Sequence, residues 1–176
     1  MPELILPTVL LHDSWLESRD EWGRGAPQAG SGLRPGDEVD SAAGFARWVA
    51  RLLRDGDVSV PPEVGKVHAT HWWVVEDGQY LGAIALRHEL NDFLLRAGGH
   101  IGYGIRPSAR RRGLATWAVR QVLAVARAHG IERVLITCDD RNVGSARVIE
   151  SQGGVLEDVR ATELGQTRRY WVDLAQ

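Results

Sequence analysis

The chain has 176 residues, 44% of them hydrophobic and 25% charged, with a formal net charge of −2. That length suits one domain with its own core, and the balanced charge excludes a global basic field for nucleic acid or an anionic membrane. The single cysteine, Cys138, excludes an internal disulfide and points to a reducing compartment.

The N-terminal stretch MPELILPTVLLHDSW has an acid at Glu3, prolines at Pro2 and Pro7, and no basic region ahead of an apolar one. It does not read as a signal peptide. No apolar run reaches membrane-spanning length, so a cytoplasmic protein is expected. Glu3 to Ile5 suits a short strand, and 9–22, with Leu11, Trp15 and Trp22, suits a helix. Residues 23–38, rich in Gly and Pro without periodicity, read as a mobile loop. Helical spacing returns through Phe45, Trp48, Val49 and Leu52 over 41–54, with Ser41 as N-cap.

Two β-rich runs follow, 67–75 and 80–86, with Asp77-Gly78 placed for a tight hairpin turn. A short helix ending at Gly98 precedes a strand at 100–105. Gly113 to His129 carries one apolar face, and Gly130 is a C-terminal stop. The near-continuous apolar run at 132–138 reads as a strand covered on both faces. A helix over 142–152 and strands at 155–159 and 168–174 close the chain. Strands 100–105 and 132–138, joined through a helix, should lie parallel; antiparallel strands precede and follow. The class is α/β or α+β with a mixed sheet, in one domain over 1–176.

The turn between strand 100–105 and its helix reads IRPSARRRGLAT, with Arg106, Arg110, Arg111 and Arg112 beside Gly113. Like charges repel, so an anion is expected there. The N–H groups of a helix's first turn carry partial positive charge and have no intrahelical partner. Phosphates bind such ends readily. Gly113 lacks a Cβ and lets an anion approach the backbone, and the guanidinium groups offer charge-assisted contacts. The turn has neither the G-x-x-x-x-G-K-[ST] nor the G-x-G-x-x-G spacing of nucleotide and dinucleotide sites.

Arg110 to Ala115 instead resembles the [QR]-x-x-G-x-[GA] pyrophosphate loop of the GNAT superfamily of N-acetyltransferases. NVGSARVIESQGG, from Asn142, is similar to that family's N-x-x-[AS]-x-x-x-x-E-x-x-G segment. GGHIGYGIRP and GVLEDV…RRYWVDL resemble a bacterial subgroup of it. The likeness covers residues 100–159. It implies a mostly antiparallel mixed sheet with a central splayed parallel pair and helices on both faces. It also implies acetyl-CoA as co-substrate and no metal. The pantetheine arm would follow the backbone of Tyr103, Gly104, Ile105 and Arg106. The pyrophosphate would sit on the N–H groups of Arg111, Arg112, Gly113, Leu114, Ala115 and Thr116, and Asn142 would meet the pantetheine.

Acetyl transfer to an amine needs a neutral amine, a polarised carbonyl and a proton for the departing thiolate. Many relatives carry a tyrosine acid seven residues after the asparagine; here that position is Ile149. A serine at the place of Ser145 is the suspected donor in a ribosomal-protein-like branch, and Ser145 takes that role here, the alternative being a simple helix-end hydrogen bond. His100, His88 and Glu89 are the candidate bases. Tyr103 lines the pocket or packs in the core. His68 and His71, three apart on a strand, face opposite sides and form no metal site. Cys138 in its apolar strand reads as inert.

The resemblance implies an acceptor amine on a small molecule or peptide. Glu17, Asp20, Glu21, Asp37, Glu38 and Asp40, with Trp15, Trp22 and Trp48, make the N-terminal side acidic and aromatic, either as an amine-binding surface or as a solvated helix face over core tryptophans. No nucleic-acid or membrane partner is expected, and the chain is read as a monomer or homodimer. Two other classes compete with the enzyme. One is a non-catalytic acyl-CoA-binding sensor, suggested by Ile149. The other is an RNA-binding domain using the arginines.

Overall fold

A computed structural model describes residues 1–175. Seven strands form one sheet in the order β1-β2-β3-β4-β5-β7-β6. They are β1 (Glu3–Ile5), β2 (Ala69–Glu76), β3 (Gln79–Arg87), β4 (Ile101–Ile105), β5 (Arg133–Asp139), β6 (Val155–Thr162) and β7 (Gly165–Asp173). Every pairing is antiparallel except that of β4 with β5. The expected mixed sheet with one parallel pair is therefore present. The β2–β3 hairpin turns on Asp77 and Gly78, both at positive φ (51° and 74°), as a two-residue turn matched to strand twist requires.

Side-chain alternation divides the core between the two faces. On one face, Trp73 and Val75 of β2 meet Trp15 of α1 (His12–Trp22) and Phe45, Trp48 and Leu52 of α2 (Ala42–Asp55). The Trp15 and Trp48 rings stand 4.8 Å apart. On the other face, Ile101 and Ile105 of β4 and Ile136 of β5 pack under Ala118, Val119 and Val122 of α3 (Leu114–Ala128) and Ile149 of α4 (Val143–Ser151). The Ser41 hydroxyl accepts from the Gly44 N–H as the expected cap of α2, and Gly130, at φ 80°, ends α3.

Three local expectations change. The helix before β4 closes with a wide turn over Leu94–Gly98, where the Gly99 N–H donates to the Leu94 carbonyl (2.7 Å). The last two strands are longer than their apolar content suggests, because their polar outer halves pair through to a turn at 163–164. Segment 23–38 is packed down rather than loose. A Cβ on Gly30 would lie 2.4 Å from the Gly102 carbonyl oxygen, and one on Gly104 would lie 2.8 Å from that of Ala29. Glycines on both sides let the two backbones touch.

Candidate active site

Strands β4 and β5 share a single rung, Ile101 opposite Ile136. Below it, the His100 N–H donates to the Leu135 carbonyl (2.7 Å), and the Leu135 N–H donates back to His100 Nδ1 (2.9 Å). Beyond it the strands part. The Arg106 N–H donates to Leu81 on the β3 side, so strand alternation turns the N–H and C=O of Tyr103 and Ile105 toward the gap. The Ile105 carbonyl accepts from Arg110 Nε (3.0 Å), and backbone groups otherwise left this way want a partner.

Past Ile105 the chain makes one turn of 3₁₀ helix and enters α3 through Arg111 and Gly113, both left-handed (φ 63° and 77°). Among the described residues, none of the N–H groups of 111–116 donates to another protein group. A Cβ on Gly113 would meet nothing within 4 Å. Successive free N–H groups in such a turn form an anion-binding nest, and the α3 dipole adds to it.

The arginine side chains behave differently from the sequence expectation. Arg106 Nε donates to Glu21 of α1 (2.8 Å), with Glu17 at 3.5 Å. Arg110 donates to the Ile105 carbonyl (3.0 Å) and lies over the Trp22 ring (4.6 Å). Arg112 pairs with Glu76. Of the four, Arg111 alone has neither a charged partner nor an aromatic ring beneath it among the described residues, and it is exposed. The like charges are thus relieved largely by acids from other elements, and the nest is chiefly backbone. The Glu21 carboxylate also accepts from the N–H and hydroxyl of Ser108 (both 3.0 Å). Burial would raise its pKa, but the Ser108 and Arg106 hydrogen bonds outweigh burial and hold it below the ordinary carboxylate range.

The acids of the N-terminal side are likewise engaged. Asp20 and Asp40 hold Arg19, Asp37 holds Arg51, and Glu38 receives the N–H groups of Asp40 and Ser41 at the start of α2. Trp15 and Trp48 are core residues. This side is a set of ion pairs over a hydrophobic core rather than an open amine-binding surface.

On the α3–α4 face of the gap, Tyr103 Oη lies 2.6 Å from Ser145 Oγ and 3.3 Å from the Ser145 carbonyl oxygen. Asn142 Oδ1 caps α4 by accepting from the Ser145 N–H (3.0 Å), so the serine hydroxyl is not the cap. Burial pushes the Tyr103 hydroxyl up to about 12 despite its bond to Ser145, which keeps its proton in place at neutral pH. Cys138 sits beside the pair, and burial raises its thiol pKa. Ile149 is fully buried in the core.

The candidate bases lie elsewhere. Glu89 is exposed beyond the end of β3, at the closed end of the split. His88 shares a hydrogen bond with Thr70 (2.8 Å), and burial lowers its pKa. His100 is 6% exposed, and burial, helped by the charge of Arg87, pushes it down to about 4. With Nδ1 occupied by a backbone N–H, it pins the base of the split and is not positioned as a free base. The structure therefore gathers Tyr103 to Arg106, Arg110 to Thr116, Asn142 and Ser145 around one opening and leaves His100, His88 and Glu89 outside it. Sequence reasoning missed the Tyr103–Ser145 contact, because no local pattern links residues 42 apart.

Comparison with solved structures gives the same architecture. The ribosomal-protein-S5-alanine acetyltransferase from Vibrio fischeri superposes with a TM-score of 0.72 at 17% identity, over 98% of this chain and 93% of that one. RimL, a ribosomal L7/L12 alpha-N-protein acetyltransferase in complex with coenzyme A, gives 0.72 at 15% identity over 99% and 94%. The microcin C7 self-immunity acetyltransferase MccE, in complex with acetyl-CoA and AMP, gives 0.72 at 14% identity over 98% and 92%. No curated protein sequence matches significantly. Residues 34–155, well over half of the chain, match the acetyltransferase (GNAT) domain family, and with this split sheet the chain belongs to the GNAT acetyltransferase family.

Proposed function

We propose that the protein is an acetyl-CoA-dependent N-acetyltransferase that places a primary amine against the thioester in a ternary complex. The observation that carries this reading is the run of free N–H groups at 111–116 at the mouth of a parallel strand pair that shares one rung. A diphosphate fits the nest, and an amide-bearing arm fits the backbone of Tyr103 and the N–H of Ile105, whose carbonyl is already taken by Arg110. Acetyl-CoA would supply the activated acetyl group. Gly113 leaves the approach clear, Arg111 adds a free positive charge, and Asn142 stands at the start of α4 beside the opening.

The chain's own groups then divide the work. A backbone N–H of β4 facing the gap polarises the carbonyl. Ser145 Oγ holds the proton for the departing sulfur, and Tyr103 Oη, protonated at neutral pH, backs it through the 2.6 Å contact. The pair stands in for the tyrosine that Ile149 replaces. Holding both reactants in the split supplies much of the rate by orientation.

Buried Ile149 also supports a second reading, a non-catalytic acyl-CoA sensor. Thermal stabilisation by acetyl-CoA, followed by thiol release with a panel of amines, tests both. Stabilisation with turnover supports the enzyme, and stabilisation with no turnover supports the sensor. Absence of stabilisation removes both readings.

A further inference from the structure

We infer that the acceptor amine also carries an oxyanion, a carboxylate or phosphate, that seats on the Arg87 guanidinium in a cavity beside the split; this rests on the acetyltransferase reading of that split. The cavity, of about 820 Å³, lies between α2, residues 61–67, the start of β2 and the end of β3. Six cationic side chains line it, Arg34, Arg47, Arg51, Arg54, Lys66 and Arg87, against two carboxylates, Asp55 and Glu63. Both acids are engaged, Glu63 by Arg34 (3.1 Å) and Asp55 by His71 (3.1 Å). Arg51 is held by Asp37. Among the described residues, Arg47, Arg54, Lys66 and Arg87 have no carboxylate partner.

Arg87 is the one placed to recognise a ligand. Its side chain is half-buried on the sheet at the cavity wall, and partial burial lowers its pKa from the ordinary guanidinium value. Its side-chain hydrogen bonds run only from Nη1, to the carbonyls of Gly98 (3.0 Å) and Gly99 (3.4 Å), leaving Nη2 and Nε without an acceptor among the described residues. A half-buried guanidinium with no counter-charge is a ready partner for an anion that replaces the water on its free donors. An oxyanion entering the cavity would meet two unused donors in the planar fork that suits carboxylate and phosphate. Both Nη atoms lie 3.3 Å from where a Cβ on Gly102 would stand. Gly102 is the first residue past the last β4–β5 rung. The guanidinium therefore flanks the base of the split on the face opposite Tyr103 and Ser145.

A second observation points to the same cavity. His71 is 7% exposed and lines it, yet its Nδ1 has no hydrogen-bond partner, while Nε2 is held by Asp55. His71, Ala85 and Gly102 stand in one row across three strands, about 10 Å from end to end at the usual strand spacing. With Nε2 turned to Asp55, the idle Nδ1 is a second polar atom beside this cavity that the protein itself leaves unsatisfied. Arg87, next to the split, fits the negative group of a small acceptor whose amine reaches into the split.

Inorganic phosphate and acetate, each compared with chloride at constant ionic strength, are the probes, read by thermal shift in the full chain. A Gly113→Trp background closes the backbone nest, so that any remaining phosphate effect belongs elsewhere. Stabilisation above chloride should survive in Gly113→Trp. It should weaken about tenfold in concentration dependence when Arg87→Met is added, as expected for losing hydrogen bonds to a charged group. If Arg87→Met does not fold, the exposed rim pair Arg54→Glu and Lys66→Glu should weaken binding in the same direction. A response to phosphate alone assigns phosphate-bearing acceptors, and one to acetate alone assigns carboxylates.

In turnover, O-phosphoethanolamine or β-alanine should outpace ethanolamine at least tenfold in kcat/KM, and Arg87→Met should erase the difference. Anion effects no greater than chloride, or effects unchanged by both sets of substitutions, overturn the inference. If acetyl-CoA stabilises the wild type in the same experiment, the acetyltransferase reading still stands. Failure of acetyl-CoA to stabilise, with anion binding intact, would instead remove the reading of the split.

Discussion

Tyr103 Oη and Ser145 Oγ stand 2.6 Å apart across the opening between β4 and α4. Their sequence positions are unrelated, and the contact exists because Tyr103 shares the α3–α4 face with Ile101 and Ile105. If the two hydroxyls act as one proton source, their loss is not additive. Tyr103→Phe and Ser145→Ala should each lower kcat by about a hundredfold, within the range for a general acid. The double variant should be no worse than the poorer single one, with KM for acetyl-CoA nearly unchanged. Single effects that multiply in the double variant, measured by steady-state thiol release, would show two independent roles.

Gly113→Trp probes the nest. A side chain there meets open space, so the fold should persist, with a loss of roughly 1 kcal/mol from forcing a left-handed φ on a non-glycine residue. The indole would cover the free N–H groups of 111–116. Coenzyme A affinity should fall about a hundredfold, a loss of around 3 kcal/mol, by isothermal titration calorimetry. Unchanged affinity in a folded variant would move the diphosphate elsewhere.

The backbone part of this site is legible in the sequence because it is local. A strand, a glycine that tolerates left-handed φ and an amphipathic helix follow one another within about thirty residues, and the parallel crossover follows from their order. Side-chain partners are a different matter. The arginines read as one anion-seeking cluster, yet Glu21 lies 85 positions from Arg106 and Glu76 lies 36 from Arg112. The same holds for Arg87 and His71. Only folding shows that one lacks a counter-charge, or that the other, rejected as a metal ligand by spacing, has an idle ring nitrogen. His100 reads as a candidate base by residue type, and its role is fixed by the Leu135 backbone, which no side-chain pattern reveals.

Glu21 tethers α1 to the turn that builds the nest, through Arg106 and Ser108. Glu21→Gln removes the charge and leaves Arg106 without its nearer carboxylate. Stability should fall by about 1–2 kcal/mol, as for losing charge-assisted hydrogen bonds at a partly exposed site, and coenzyme A affinity should fall several-fold. The Glu21 pKa is depressed in the fold, so its contribution is full above the unfolded value near 4.3 and fades as pH falls below it. The Glu21→Gln variant should lack that part of the acid-side decline in chemical denaturation.

His100 sets a second pH dependence, at higher pH. The folded ring is neutral, its pKa pushed down to about 4 by burial and by Arg87, while in the unfolded chain it takes a proton near pH 6.5. Between these values the unfolded state binds more protons than the native one. Stability is therefore full above about pH 6.5, declines as pH falls toward about 4, and has lost this contribution below that. His100→Asn keeps an acceptor near Nδ1 for the Leu135 N–H and removes the titration. Its Tm between pH 7 and pH 5 should change less than that of the wild type, while coenzyme A binding at pH 7.5 stays within a few-fold. His100→Leu, which leaves the Leu135 N–H without its acceptor, should cost about 1–3 kcal/mol at pH 7. If His100→Asn instead abolishes turnover at full coenzyme A affinity and unchanged stability, the ring is a base in the reaction and not the pin at the foot of the split.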